Sequence, residues 1–380
     1  MVDRRDGHAR RALAIALVVC ACSAAPSPTR IELVASVPVE TELASGLPDA
    51  HVVWLDMIDH ARTSIEFAEF YASNAPRSRL DAVVLAIERA IKRGVDVRFL
   101  AEKSFVAIYP DTLERLRRAG ADVVAIDFGD GGIHHAKYFV VDEREAFIGS
   151  QNFDWRSLEH NLELGARIRD GAIVAGLTTT FAHDWAMAGG RPRTKTAHRV
   201  SPAFVASPRD RLVTGTWDLP KLAALLATAR STIRIELLTY KAGEWQELEQ
   251  PLLEAARRGV AVELMLSDWV KRAKTIGLLQ QLARHRNVTI KLVTIPLWRG
   301  TFIPFARVIH AKLLVIDGVR GWLGTSNWER DYFYKDRNVG ILVDDSTLAQ
   351  QLDRFFTMTW TSRYAYKLDP DATYEPPRIE

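Results

Sequence analysis

"IHHAKYFVVDEREAFIGSQN", residues 133–152, sets a histidine and a lysine two apart, then an aspartate, then a Gly-Ser-x-Asn turn. "VIHAKLLVIDGVRGWLGTSN", residues 308–327, repeats the arrangement: His310, Lys312, Asp317, Thr325 and Asn327 each stand 175 residues after His135, Lys137, Asp142, Ser150 and Asn152. The repetition extends upstream. "ARTSIEF" (61–67) matches "ARSTIRI" (229–235), and "AIKRGVDVRFL" (90–100) matches "AARRGVAVELM" (255–265). The order is kept and only loop lengths drift. Two copies are too few for a solenoid and suit a fused pseudo-dimer.

Each copy alternates helix and strand signals. In the first, helices are predicted over about 50–62, 80–93 and 111–119, with strands at "SIEFAEFYA", "VDVRFLA", "ADVVAID", "AKYFVVD" and "EAFIGSQ". The second repeats the scheme with helices near 219–230, 246–258 and 275–284. This pattern predicts an α/β protein of two similar halves, each a mixed, mostly parallel sheet with helices on both faces. The expected divisions are a leader over 1–30, a first half over 31–195 and a second over 196–380, with "GGRPRTKTAHRVSP" (189–202) as the linker.

The composition is that of a globular chain: 380 residues, 48% hydrophobic, 26% charged, net charge +3. It excludes a disordered or fibrous protein and permits an anionic substrate without demonstrating one. Arg4, Arg5, Arg10 and Arg11 precede an apolar run, Ala12 to Ala25, which is too short to span a bilayer and reads as an export signal. Both cysteines lie in that run. "VCAC", ending at Cys22, resembles a bacterial lipoprotein cleavage box; the alternative is that Cys20 and Cys22 are small residues of a discarded signal. Either way the expectation is an exported protein, periplasmic, secreted, or attached to a membrane through a lipidated Cys22. The remainder has no cysteine for a disulfide or a thiolate metal site.

On a strand, residues i and i+2 share a face, so His135 projects with Lys137 and His310 with Lys312. An imidazole, an ammonium and the amide of Asn152 or Asn327 together suit a phosphoryl group: charge, a directed donor, and a ring that attacks or donates a proton. One such set is half a machine. Displacement at a phosphodiester needs a nucleophile on one side of phosphorus and an acid on the other, which two facing copies supply. Asp142 and Asp317 read as structural turn residues behind this set, and Ser150 and Thr325 either support the phosphate or cap the turn. Apart from His134 next to His135, the motifs hold no ligand cluster at metal spacing, so neither metal nor cofactor is expected.

These strings resemble the signature of the phospholipase D superfamily over nearly the whole chain after the leader. "GSQNFDWRSLEHNLELG" (149–165), "PFARVIHAK" (304–312) and "GTSNWERDYF" (324–333) are similar to the branch holding phospholipase D family members 3 and 4 and their poxviral relatives. The resemblance implies a metal-free phosphodiesterase acting through a phosphohistidine, and a 5′ exonuclease on single-stranded DNA or RNA. It also implies a role for Glu163, 28 residues after His135, where members often keep a carboxylate that holds the histidine's far nitrogen; the same offset from His310 gives Asn338. On that reading Glu163 backs His135 as the nucleophile and His310 is the general acid. The alternative is that Glu163 keeps His135 protonated as the acid.

Aromatic and basic residues gather near the second motif: Trp298, Arg299, Phe302, Phe305, Arg307, Trp328, Tyr332, Phe333 and Tyr334, with another tryptophan in "DWVKRAK" (268–274). Trp298, Phe302, Arg307, Trp328, Tyr332 and Phe333 are therefore candidate substrate-binding residues for a single strand, which binds by base stacking and phosphate contacts. The competing reading is a phospholipase D or phosphatidyltransferase acting on phospholipid with the same histidine chemistry.

Overall fold

Strands joined through a helix can run parallel, whereas strands joined by a tight turn must run antiparallel; each half uses both. The structure is a computed structural model that describes residues 30–191, 199–212, 215–243 and 246–380. Cys20, Cys22, the rest of the leader and most of the linker lie outside the described residues.

The first half forms a seven-stranded sheet in the order Ile31–Ser36, Glu163–Ile168, Glu145–Gly149, Tyr138–Val141, Ser64–Glu69, Asp96–Glu102, Asp122–Ile126. The second forms an eight-stranded sheet in the order Phe204–Ser207, Asn338–Val343, Arg320–Gly324, Leu313–Ile316, Thr232–Leu237, Ala261–Ser267, Val288–Val293, Ala365–Lys367. The two similar α/β halves are those the repeat implies. The "mostly parallel" sheets are not: Ser64–Glu69, Asp96–Glu102 and Asp122–Ile126 pair in parallel, as do their counterparts in the second half, and every other pairing within the two sheets is antiparallel. The reason lies in the connections. The parallel strands are joined through long helices, Arg79–Lys92 and Pro110–Ala119 in the first half, whereas Tyr138–Val141 and Glu145–Gly149 are a hairpin.

Period-two alternation assigns the two sheet faces. Val34, Ile65, Phe67, Phe99, Phe139 and Phe147 pack outward under helices Ala50–Asp59, Arg79–Lys92 and Pro110–Ala119. Leu33, Ala35, Ala68, Leu100, Tyr138 and Val140 point inward to a core shared with Leu313, Val315, Leu323 and Ile341 of the second sheet. Two helices fill this shared layer, Gly171–Met187 and Ser346–Trp360. The first turns Ile173, Val174, Leu177, Phe181 and Trp185 into this layer and leaves Thr179, His183 and Met187 exposed. One apolar core thus binds the two halves into a single body. No described helix is long and apolar enough to cross a membrane.

Candidate active site

Each motif begins with an extended segment that leaves its own half. The His135 amide donates to the Arg337 carbonyl (3.0 Å) and the Arg337 amide donates back to Ile133 (2.9 Å). The same exchange occurs on the other side, where His310 donates to Leu162 (2.7 Å) and Leu162 donates to Val308 (2.8 Å). His135 and Lys137 thus precede the strand that starts at Tyr138, instead of lying within it. Gly149 and Gly324 allow the close approach: a side chain there would meet the Gly165 Cα and the Val339 carbonyl, each at 2.9 Å.

The residues that follow Leu162 and Arg337 are Glu163 and Asn338, so each falls on the opposite histidine. Glu163 Oε2 accepts from His310 Nδ1 (2.7 Å) and from Ser150 Oγ (2.6 Å). Asn338 Oδ1 accepts from His135 Nδ1 (3.0 Å) and from Thr325 Oγ1 (2.8 Å), while its amide donates to the Tyr332 carbonyl (2.9 Å). The expectation that Glu163 backs His135 is therefore corrected: the carboxylate backs His310, because the partner crosses between halves. Ser150 and Thr325 donate to these partners and also accept from the Leu164 and Val339 amides (3.0 and 3.1 Å), as a capping hydroxyl does. In both rings Nδ1 carries the proton, which leaves Nε2 for a substrate.

His135, His310, Asn152, Asn327 and Tyr332 line one cavity of about 460 Å³. The Tyr332 ring stands edge-on to His135 (4.8 Å, 88°), and its hydroxyl receives the Asn327 amide (3.2 Å). Lys137 and Lys312 are fully buried, and each donates to the carbonyl of its own motif histidine, at 2.7 and 2.5 Å. Burial lowers all four ionisable groups. It brings Lys312 down to about 7 and Lys137 well below its ordinary value. Burial brings His310 down to about 4 against the opposing pull of Glu163. His135, facing two lysines and only a neutral amide, is held well below the ordinary histidine value. The carboxyls of Glu69, Glu163 and Asp336 oppose that lowering at Lys137, and those of Glu163 and Glu236 oppose it at Lys312. No group of three or more histidines, cysteines or carboxylates among the described residues could hold a metal ion.

Asp142 and Asp317 sit at the far ends of the strands that follow the two histidines. Asp142 Oδ1 accepts from the amides of Thr63 (2.7 Å) and Ser64 (2.9 Å), and Asp317 Oδ1 repeats this with Ser231 (2.8 Å) and Thr232 (2.9 Å). They tie turns to strand starts and do not support the site, being about 23 Å of extended chain from the histidines.

Of the six aromatic and basic candidates for substrate contact, only Tyr332 reaches the cavity. Trp328 and Phe333 are core. Trp298 packs on His160 (5.1 Å), Phe302 lies under Arg378 (4.0 Å), and Arg307 donates through Nε and Nη1 to the Pro296 and Val39 carbonyls (2.7 and 2.8 Å). Phe305 and Trp269 do line the cavity. The main aromatic wall, Phe70, Tyr71, Phe105 and Tyr109, comes from the first half and is absent from the sequence reading. The signal was available: these rings follow Ser64–Glu69 and Asp96–Glu102, and ligands of α/β sheets gather outside the carboxyl ends of parallel strands.

A half-site made twice and closed by exchanging partners brings His135 and His310 to one cavity, and the fold and motifs are those of a phosphodiesterase class. A family model described as "Cardiolipin synthase, PLD-like domain" matches residues 54–185 and 222–360, one stretch per half. The chain belongs to the phospholipase D superfamily, in the branch of family members 3 and 4. It is 30% identical to the 5′-3′ exonuclease PLD4 of Mus musculus, covering 89% of this chain and 79% of that one. It is 28% identical to the virion nicking-joining enzyme of Vaccinia virus (strain Western Reserve), covering 90% of each. Among solved structures, a phosphatidylserine synthase from Haemophilus influenzae superposes with a TM-score of 0.61 at 12% identity over 84% of this chain and 85% of that one, a likeness of fold.

Proposed function

We propose that this phosphodiesterase is a metal-independent nuclease that removes nucleotides from the 5′ end of single-stranded DNA or RNA through a phosphohistidine on His135, with His310 as the general acid. The observation that carries the reading is the single cavity where both imidazoles meet an aromatic wall. Its volume of about 460 Å³ suits a ligand of nucleotide size. The relatives named as exonucleases support the direction of attack.

His135 Nε2 attacks phosphorus while His310 gives its Nε2 proton to the departing sugar oxygen. His310 then takes a proton from water, which attacks the phosphohistidine and frees His135. The shuttling ring is the one that needs a carboxylate at Nδ1, as in a catalytic triad, and Glu163 supplies it to His310. The nucleophile needs a neutral ring in a fixed tautomer, which Asn338 provides for His135. The roles are those the sequence suggests, on the opposite physical ground. Lys137, Lys312, Asn152 and Asn327 would neutralise and position the non-bridging oxygens.

A phosphodiester with a p-nitrophenolate leaving group tests the roles, because that group departs without a proton. His310→Ala should release about one equivalent of p-nitrophenol and trap a phosphorylated enzyme, while His135→Ala should give neither; the reverse pattern would exchange the two roles. The phospholipid reading draws on Ile108 and Phe305, 59% and 39% exposed at the cavity mouth. Wild-type protein in EDTA should shorten a 5′-hydroxyl oligonucleotide. Choline release from phosphatidylcholine with the oligonucleotide intact would favour the lipid reading instead.

A further inference from the structure

Three rings beside the catalytic cavity are held nearly parallel. Tyr71 and Phe105 have centroids 5.5 Å apart at 24°, Tyr71 and Tyr109 are 5.1 Å apart at 27°, and Phe105 and Tyr109 are 6.5 Å apart at 25°. Phe70 joins this stack to the reacting centre, lying 4.1 Å from Phe105 and 5.0 Å from the His135 ring. The four rings are half-buried, and all of them line the cavity. They form an open wall, unlike the sealed aromatic core around Trp54 and Phe139.

The stack is also braced. The Tyr71 hydroxyl donates to Asp154 Oδ2 (2.6 Å), and Asp154 accepts from Arg156 Nε (3.0 Å). The Arg156 guanidinium lies 5.9 Å over the Tyr109 ring. Asp154 is two residues after Asn152, so the brace and the phosphate contact share one short segment. The facing wall has no parallel set: Trp269 and Phe305 meet edge-on at 74°.

We propose that Tyr71, Phe105 and Tyr109 form a base-stacking subsite for the nucleobase next to the scissile phosphate, on the His135 side, with Asp154 and Arg156 as positioning residues. The proposal rests on the nuclease reading and names the part of the substrate that reading leaves open. Flat heteroaromatic rings gain from offset stacking on a parallel face, whereas a flexible acyl chain gains nothing from ring alignment. Stacking tolerates any base, so the subsite would bind without choosing sequence.

The test compares a single-stranded oligonucleotide with the same strand made abasic at the nucleosides flanking the first cleavable phosphate. Wild-type kcat/KM should favour the intact strand by about 5- to 100-fold. In F105L/Y109L that ratio should collapse to about one. Tyr71→Phe, which keeps the ring and loses the brace, should raise KM for the intact strand a few-fold and leave kcat nearly unchanged. A double variant that keeps the wild-type ratio, or that slows both strands equally, would overturn the subsite. Failure of the nuclease reading looks different: wild-type protein would cleave neither strand while hydrolysing phosphatidylcholine, and the subsite would fall with it.

Discussion

Glu163, from the first half of the chain, holds Nδ1 of His310, from the second, at 2.7 Å. The contact exists because the backbone of Leu162 pairs with that of Val308 and His310. Its counterpart, Asn338 on His135 at 3.0 Å, is neutral, so a pseudo-symmetric site carries its asymmetry in one pair of residues.

Glu163→Gln should therefore affect proton transfer selectively. With an alkyl leaving group the rate should fall by about 10²-fold or more, the usual worth of a general acid. The first turnover of a p-nitrophenyl diester should stay near wild type. Stopped-flow release of p-nitrophenol against steady-state oligonucleotide cleavage measures both.

The pH profile should lie on the acid side of neutrality. His310 must be protonated at the first step, and its value in the free enzyme is lowered to about 4, so kcat/KM should decline as pH rises above about 4. His135 must be unprotonated, and burial with the two lysines nearby holds its value well below the ordinary one, so the acid limb is displaced downward as well. A bound phosphodiester anion favours protonated His310, so the limb of kcat should lie at higher pH than that of kcat/KM. Both limbs belong to the pair as macroscopic constants. An alkaline optimum would contradict the assignment.

Arg337 is fully buried and pairs with Asp184 through two contacts of 2.7 Å. Arg337→Leu should cost about 3–5 kcal/mol by stranding the carboxylate. The double variant with Asp184→Leu should recover a large part of that loss in urea unfolding. Leu162 stands at the equivalent place in the first half, which shows that the geometry itself needs no arginine.

Asp142→Ala and Asp317→Ala should each lower stability by about 1–3 kcal/mol through unsatisfied amides at a strand start. Neither should change kcat once the folded fraction is accounted for. Thermal unfolding together with kcat decides this, and a large loss of kcat at full folding would restore a chemical role.

Export and anchoring form a separate proposal. If Cys22 is lipidated, the full-length chain should fractionate with membranes and Cys22→Ser should release it. Equal solubility of both forms would leave Cys22 as part of a discarded signal.

The amino-acid sequence by itself determined the duplication, the order of the central strands and helices of each half and the six motif residues, because these depend on local spacing and on side-chain chemistry; it did not mark the strands Ile31–Ser36 and Glu163–Ile168 or the shared-core helices Gly171–Met187 and Ser346–Trp360. It could not show that the sheets are mainly antiparallel, since pairing direction follows from which strands become neighbours. It placed substrate contacts on Trp298, Trp328 and Phe333, aromatic residues near a motif in the chain, while the rings that line the cavity arrive from Phe70, Tyr71, Phe105 and Tyr109. Above all it set Glu163 on His135, its neighbour within the repeat. Only the tertiary structure decided otherwise, because backbone exchange between the halves carries each partner across the pseudo-two-fold axis, and no intrachain offset records which half a side chain will meet.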